Sequence, residues 1–423
     1  MRLELVIIEI NDVQFADQTR VTNGVLTINR DELRGILEED KCFDRVDIEL
    51  AHPGENCRII QVTDVIEPRA KIGDGNDDLK DAMGDMLTAG EGKTCVLRGA
   101  TVVLSDDGPS DRIIDMSGPS SEAGPFGRTR NVVLLAKPKD GVSIPDYQAS
   151  LKKAGLKAAA YLARAGADLE PDDIEVYEMP SLTEISKGCD GLPRVTYIMQ
   201  IVSLQFEPVP GEPILFGGQA GGMVPAVIHP NQVLDGAVTS AFPALNVDTY
   251  HIQNHSIIKE LYGKHGKDLC FCGVIVTIAA NNVRDIDRLA KIASGTAKWV
   301  VGADGAVLTK TGGGAPELTL ARTAQMCEQL GVKTAIAMLH MGADIKDAKY
   351  GATTIFNMPE VDAIVSMGVP AIKVTLPPVE RIIGNPDTRS EGPPVSGEIV
   401  RELDRVKGAF CQHGSAKWRA VRY

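Results

Sequence analysis

Apolar and polar positions alternate through the first 115 residues. The runs LELVIIEI, GVLTIN, RVDIEL, CRIIQVTDVI and TCVLRGATVVL are rich in Val, Ile and Thr, with the partial period of two that faces one side of a strand inward. A stretch dense in glycine and aspartate, residues 73–85, interrupts them as a loop. Residues 117–130 (SGPSSEAGPFGRTR) have the composition of a linker or binding loop. The period then changes. After an apolar strand at 131–136, Pro145 and Asp146 open a helix with apolar positions at Tyr147, Leu151, Ala154, Ala158, Tyr161 and Ala165, closed by Gly166. Strands at 174–177 and 195–202 follow, then a glycine-rich loop at 217–222 and a strand at 224–229 that Pro230 stops.

The last third alternates between the two periods. A strand at 272–278 precedes a helix at 283–294, then a strand at 299–302, a helix at 316–330, and strands at 334–339 and 363–366. Such alternation implies βαβ units and a parallel sheet, because each parallel crossover needs a helix. With 423 residues the chain exceeds one ordinary domain. The expected fold class is α/β: a β-rich N-terminal domain at 1–130, a central α/β domain at 131–268 and a C-terminal α/β domain at 269–423, with mostly parallel sheet.

Composition narrows the function only by exclusion. A net charge of −13 gives nucleic acid or an anionic membrane surface nothing to attract. The opening MRLELVIIEINDVQF lacks the apolar core and cleavage site of a secretory signal. No apolar run approaches the roughly 18–20 residues that a membrane span needs. Eight cysteines without a CxxC pair read as reduced thiols, so a cytoplasmic location is expected.

Long local strings carry a family likeness. They are residues 1–4, 12–15 and 23–26, IELAHPGE at 48–55, DVIEPR at 64–69, IIDMSGP at 113–119, and residues 125–126, 131–134, 155–162 and 170–178. DGA at 235–237, KELY at 259–262, HGKD at 265–268 and GVI at 273–275 keep the register. Over nearly its whole length the chain resembles the pyruvoyl-subunit precursor of component B of glycine, sarcosine and betaine reductases. The resemblance implies a precursor that cuts itself at a cysteine soon after DGA and turns the new amino terminus into a pyruvoyl ketone. That ketone captures the substrate amine, and a partner subunit carrying a thiol or selenol takes the carbon fragment.

The chain departs from that pattern at the cut. Residues 235–250 read DGAVTSAFPALNVDTY, a few residues shorter than the family segment, and no cysteine lies between Cys189 and Cys270. The aligned position falls at Phe242 or Pro243, which cannot run the chemistry, so an uncleaved chain without a pyruvoyl group is expected. The alternative is a displaced cleavage pair at Thr239-Ser240, since serine follows the same ester route.

A metal ion is the expected replacement electrophile. His229, His251, His255 and His340 stand where the resembled reductases carry other residues, and three imidazoles can hold Zn²⁺ or another divalent metal with one position open for water. His229 and His340 fall at expected strand ends, where α/β sheets bind ligands, and His251 and His255 are four apart. The competing reading for each is a capping or packing histidine, the commoner fate of an isolated imidazole. Asp235 is a candidate general base or acceptor for a ligand histidine, or equally a turn residue. Gly312, Gly313 and Gly314 enter a helix and could bind a substrate carboxylate or phosphate through bare N–H groups, although a plain helix start explains them too. Cys270 and Cys272 read as core packing, His265 as a helix C-terminal residue, and His52 and His413 have no special context.

The expected function is therefore one subunit of a two-component enzyme that hydrolyses a C–N bond of a small amino-acid-like or amide substrate at a histidine-bound metal. One alternative is a reductase-type component B subunit cleaving C–N or C–S bonds, with its electrophile at Thr239-Ser240 or its chemistry on the partner. Another is a non-catalytic scaffold. Each implies a hetero-oligomer with a gamma-like subunit bearing a thiol or selenol.

Overall fold

The computed structural model describes residues 1–72, 89–106, 110–118, 123–185, 189–205, 210–241, 247–339, 360–361, 363–368, 371–386 and 395–414. The expected loop at 73–85 and the position expected for the family's cut, Phe242 or Pro243, lie outside them, as does His340.

Two four-stranded sheets form the amino-terminal half. In one, Arg2–Glu9 runs parallel to Gly92–Arg98, with Asp173–Glu178 and Arg69–Ile72 antiparallel at the two sides. In the other, Phe43–Ala51, Arg130–Pro138, Ala100–Ser105 and Val62–Ile66 lie in that order. The helix Ile144–Arg164 packs across these strands, with Ser143 accepting from the Asp146 amide as its N-cap. At Gly155 the approach is close. A Cβ there would sit 2.7 Å from Leu104 Cδ2 and 2.9 Å from Ile66 Cδ1, so any larger residue would have to push these buried side-chain ends aside.

The second half is a six-stranded sheet. Cys270–Ala279, Arg194–Ser203, Gly305–Thr309, Lys333–Met338 and Ala363–Ser366 are parallel neighbours in that order, and the short antiparallel strand Ala226–Ile228 closes the edge beside Cys270–Ala279. All ten residues of Cys270–Ala279 are buried, as expected for a central parallel strand covered on both faces. Helices Val283–Gly295 and Ala315–Gln329 supply the crossovers. The α/β class and its largely parallel sheet therefore stand. Among the described residues no helix is long and apolar enough to cross a membrane.

Several local expectations are corrected. Residues 299–302 form no strand: Thr296–Val300 continues the preceding helix as a π-helical turn, and the sheet takes Gly305–Thr309 instead. The apolar pair Trp299-Val300 that suggested a strand is about three-quarters exposed. Arg30–Glu38 is a helix within the expected all-strand region, capped by Asn29 and anchored through buried Leu33 and Leu37. Pro230 opens the short helix Pro230–Leu234, as proline suits a first helical turn. Strand pairing also runs across both expected domain boundaries. Arg130–Pro138 belongs to the amino-terminal sheet, and Arg194–Ser203 pairs with Cys270–Ala279.

Candidate active site

Four polar side chains from distant parts of the chain meet where the long helix crosses its sheet. Lys152 lies on the buried face of Ile144–Arg164 and is ion-paired with Asp64 of Val62–Ile66, both side chains having no exposure. Thr249 follows Asp248, the N-cap of Thr249–Gln253; its amide donates to Asp64 Oδ1 at 2.9 Å and its hydroxyl to Asp64 Oδ2 at 2.6 Å. Ser240 completes the cluster. Its amide donates to Thr249 Oγ1 at 3.1 Å, and its own hydroxyl oxygen accepts from Lys152 Nζ at 3.1 Å. Thr249 Oγ1 also lies within donating distance of Ser240 Oγ, at 3.4 Å, although its single proton goes to Asp64 in the shorter contact. Thr249 thus stands between the Ser240 hydroxyl and a buried carboxylate.

A second buried network adjoins the first through Asp248. Its Oδ1 lies 2.7 Å from Lys407 Nζ and its Oδ2 3.3 Å from His251 Nδ1. Burial works against this carboxylate, but Lys407 and His251 outweigh it and hold its pKa at about 2. Lys407 also donates to the Thr63 carbonyl at 2.9 Å, which ties the carboxy-terminal segment to the strand that bears Asp64.

That segment brings in a histidine with no sequence signal. His413 Nε2 lies 2.7 Å from the Gln200 carbonyl and 2.8 Å from Thr311 Oγ1, and its ring stacks on His255 with centroids 6.0 Å apart. His255 Nε2 reaches the Tyr197 hydroxyl at 3.2 Å. Burial lowers His413 to about 4 and, with His413 and His251 adding to it, pushes His255 well down, so both rings are neutral.

The other expected site residues go to separate places. His229 is the N-cap of Pro230–Leu234: its Nδ1 accepts from the Asn231 amide at 3.2 Å, and burial lowers it to about 4. Asp235 accepts from the Gly90 amide and the Thr94 hydroxyl, each at 2.6 Å, and is ion-paired with Lys71, so it fastens the DGA turn to the amino-terminal sheet. Thr239 donates to the Pro213 carbonyl at 2.6 Å. The amides of Gly312 and Gly314 are already given to Gln412 Oε1 at 3.1 Å and Glu317 Oε2 at 3.2 Å, with Gly313 between them.

The histidine cluster does not assemble among the described residues. Among the described residues only Cys189, His265 and Cys270 place three ligand-type atoms within 4.8 Å of one another. They are a possible metal-holding group. His265 Nδ1 accepts from the Phe271 amide at 3.1 Å, which leaves the ring proton on the Nε2 that faces Cys189 Sγ at 4.0 Å. A metal-bound ring instead donates through its other nitrogen. The pairing of Cys270 with Cys189 and His265 had no signal in the local spacing. Burial pushes the thiols of Cys57, Cys95 and Cys327 up to about 12 and Cys411 higher still, so none of these four is a ready thiolate.

Sequence reasoning reached Ser240 but missed Asp64, Lys152 and Thr249. The one available signal was a lysine among the inward positions of an amphipathic helix, which implies a buried partner without naming it.

A family model described as glycine/sarcosine/betaine reductase component B subunits matches residues 1–407. The glycine reductase complex component B subunits alpha and beta of Acetoanaerobium sticklandii are 35% identical over 439 positions, spanning both chains completely. The sarcosine reductase complex component B subunit alpha of Peptoclostridium acidaminophilum is 35% identical over 390 positions, covering 91% of this chain and 89% of its own. No solved structure matches the chain. The expectation of metal-dependent hydrolysis is overturned, because these relatives, aligned across nearly the entire chain, are reductase components. The chain therefore belongs to the family of glycine, sarcosine and betaine reductase component B subunits.

Proposed function

We propose that this chain is the alpha/beta subunit of a reductase component B that cleaves the C–N bond of a small amino-acid-like substrate, with its electrophile made at Thr239-Ser240. The match over residues 1–407 supports the class of reaction. The place is supported by the hydroxyl of Ser240, held against Lys152 three residues after the DGA string at 235–237.

The residues suit self-processing by the serine route. Ser240 Oγ adds to the Thr239 carbonyl carbon while its proton passes by way of Thr249 towards Asp64, and the Lys152 ammonium offsets the charge that develops. The amide C–N bond breaks as the Ser240 nitrogen is protonated, which leaves an ester. Loss of the Ser240 α-proton then breaks the ester C–O bond and frees Thr239 as a carboxylate. Water replaces the nitrogen left on residue 240, releasing ammonia and leaving a ketone. That ketone supplies an electrophile for the substrate amine. A partner subunit bearing a thiol or selenol receives the carbon fragment, so the active enzyme is a hetero-oligomer.

Denaturing mass spectrometry of the chain purified with its partner tests the reading. Two fragments that divide between Thr239 and Ser240, the second lacking its amino group, are expected. Ser240→Ala should give one intact species. A wild-type chain that stays whole in the active complex would move the electrophile to the partner subunit.

A further inference from the structure

Six cationic side chains are buried among the described residues: Arg58, Arg69, Arg112, Lys152, Lys310 and Lys407. Five are ion-paired with a buried acid, respectively Asp115, Glu67, Asp64, Glu317 and Asp248 for all but Arg112. Arg112 is 7% exposed, and neither its Nε nor its Nη2 has a hydrogen-bond partner. Those two N–H groups form the edge of a guanidinium that grips a carboxylate side-on. Arg58 uses that edge on Asp115, with Nε and Nη2 each 2.8 Å from Oδ2, and Arg69 uses it on Glu67 at 2.9 and 2.5 Å. On Arg112 the same edge is buried and unpaired.

The acids near Arg112 lie within ion-pair distance of other cations, although Asp404 Oδ1 and Asp248 Oδ1 accept no hydrogen bond. Asp111 and Asp404 lie 3.2 and 3.4 Å from Arg405, and Asp248 lies 2.7 Å from Lys407. Arg112 also sits beside the Ser240 cluster. Its carbonyl accepts from the Val62 amide at 3.0 Å, two residues from Asp64, and its charge feels Asp248, the residue before Thr249. Burial pulls the guanidinium below its ordinary value, yet arginine stays charged in proteins, so a buried donor edge here awaits an anion.

We infer that the Nε and Nη2 edge of Arg112 binds the carboxylate of the substrate, orienting it while its amine faces residue 240. The assignment to substrate rests on the proposed reductase reading; the carboxylate site itself does not. A substrate with a planar carboxylate on the carbon next to its amine carries the anion that this edge takes, and an amide or ester of it would lose the bidentate contact.

Glycolate, a carboxylate with no amine, probes the site without engaging the ketone. Calorimetric titration of the full chain in its complex, at constant ionic strength, should show saturable glycolate binding and none of the neutral glycolamide. Arg112→Gln should weaken glycolate about tenfold or more, the loss expected for a charge-assisted pair. Its unliganded melting temperature should match or exceed wild type, because the variant removes an unpaired buried charge. Absent or unchanged glycolate binding, preferential binding of inorganic phosphate, or a lowered melting temperature from a latent pair with Asp404 would each overturn the inference. Cleavage at Ser240 is read separately by mass. An uncleaved chain that still binds glycolate through Arg112 removes the reductase reading and leaves the carboxylate site standing.

Discussion

The Lys152 ammonium donates to the Ser240 hydroxyl at 3.1 Å across 88 residues of sequence, inside a core with no exposure at Lys152. The same nitrogen is ion-paired with Asp64, so one lysine both orients the serine and neutralises the carboxylate at the end of its proton path.

Processing should therefore depend on the cluster as well as on Ser240. Asp64→Asn should slow cleavage between Thr239 and Ser240 by about 10²-fold or more, the usual contribution of a positioned base. Ser240→Cys should still cleave, because a thiol follows the same route through a thioester. The time course of fragment appearance after synthesis, read by denaturing mass spectrometry, decides both. Equal rates for Asp64→Asn and wild type would remove Asp64 from the path.

The pair also carries stability. Lys152→Met strands the Asp64 carboxylate in the core and should cost about 3–5 kcal/mol. Adding Asp64→Leu should recover only part of that loss, since Thr249 donates both its amide and its hydroxyl to Asp64. Urea unfolding of the two variants in the uncleavable Ser240→Ala background separates stability from processing. A loss below about 1 kcal/mol would show the pair to be solvated, as surface pairs are.

Acid should weaken the protein before its carboxylates titrate. His413 is held neutral by burial, with its pKa lowered from 6.5 to about 4, so the unfolded chain binds the proton first. Its contribution is complete above pH 6.5 and falls as pH drops from there towards 4, by about 3 kcal/mol in all. Asp248, held at about 2 against 3.8, loses its contribution only below that window. Urea midpoints should decline steadily from pH 7 to 4.5, and His413→Gln should make the decline shallower, with buried His229 and His255 supplying the rest. A flat wild-type profile would contradict the buried neutral ring.

Close packing at Gly155 makes a further substitution informative. Alanine normally favours a helix by up to about 1 kcal/mol over glycine. Here the added methyl meets Leu104 and Ile66, both fully buried, and overpacking of this kind costs about 1–3 kcal/mol. Gly155→Ala should lower the denaturant midpoint, and an increase would mean that the helix moves off the sheet without loss.

The sequence by itself determined what short-range periodicity and local strings can carry. Period-two runs such as LELVIIEI became strands, the threes and fours from Tyr147 onward became the helix Ile144–Arg164, and strings such as DVIEPR and KELY carried the family. Tertiary structure decided which polar groups face one another. The spacing around Lys152 says that its helix face is buried, but its partners on strand Val62–Ile66 and beside Thr249 are set by how the helix crosses the sheet. The histidines show the converse. His229 looked like a strand-end ligand and became a helix cap because Pro230 starts a helix there, leaving the Asn231 amide in need of an acceptor. His413 had no local pattern at all, yet the docking of Lys407 against Thr63 and Asp248 accompanies its burial against His255. A hydrogen-bond partner is a property of long-range packing, so only the folded chain could choose Asp64, Lys152 and Thr249 for Ser240.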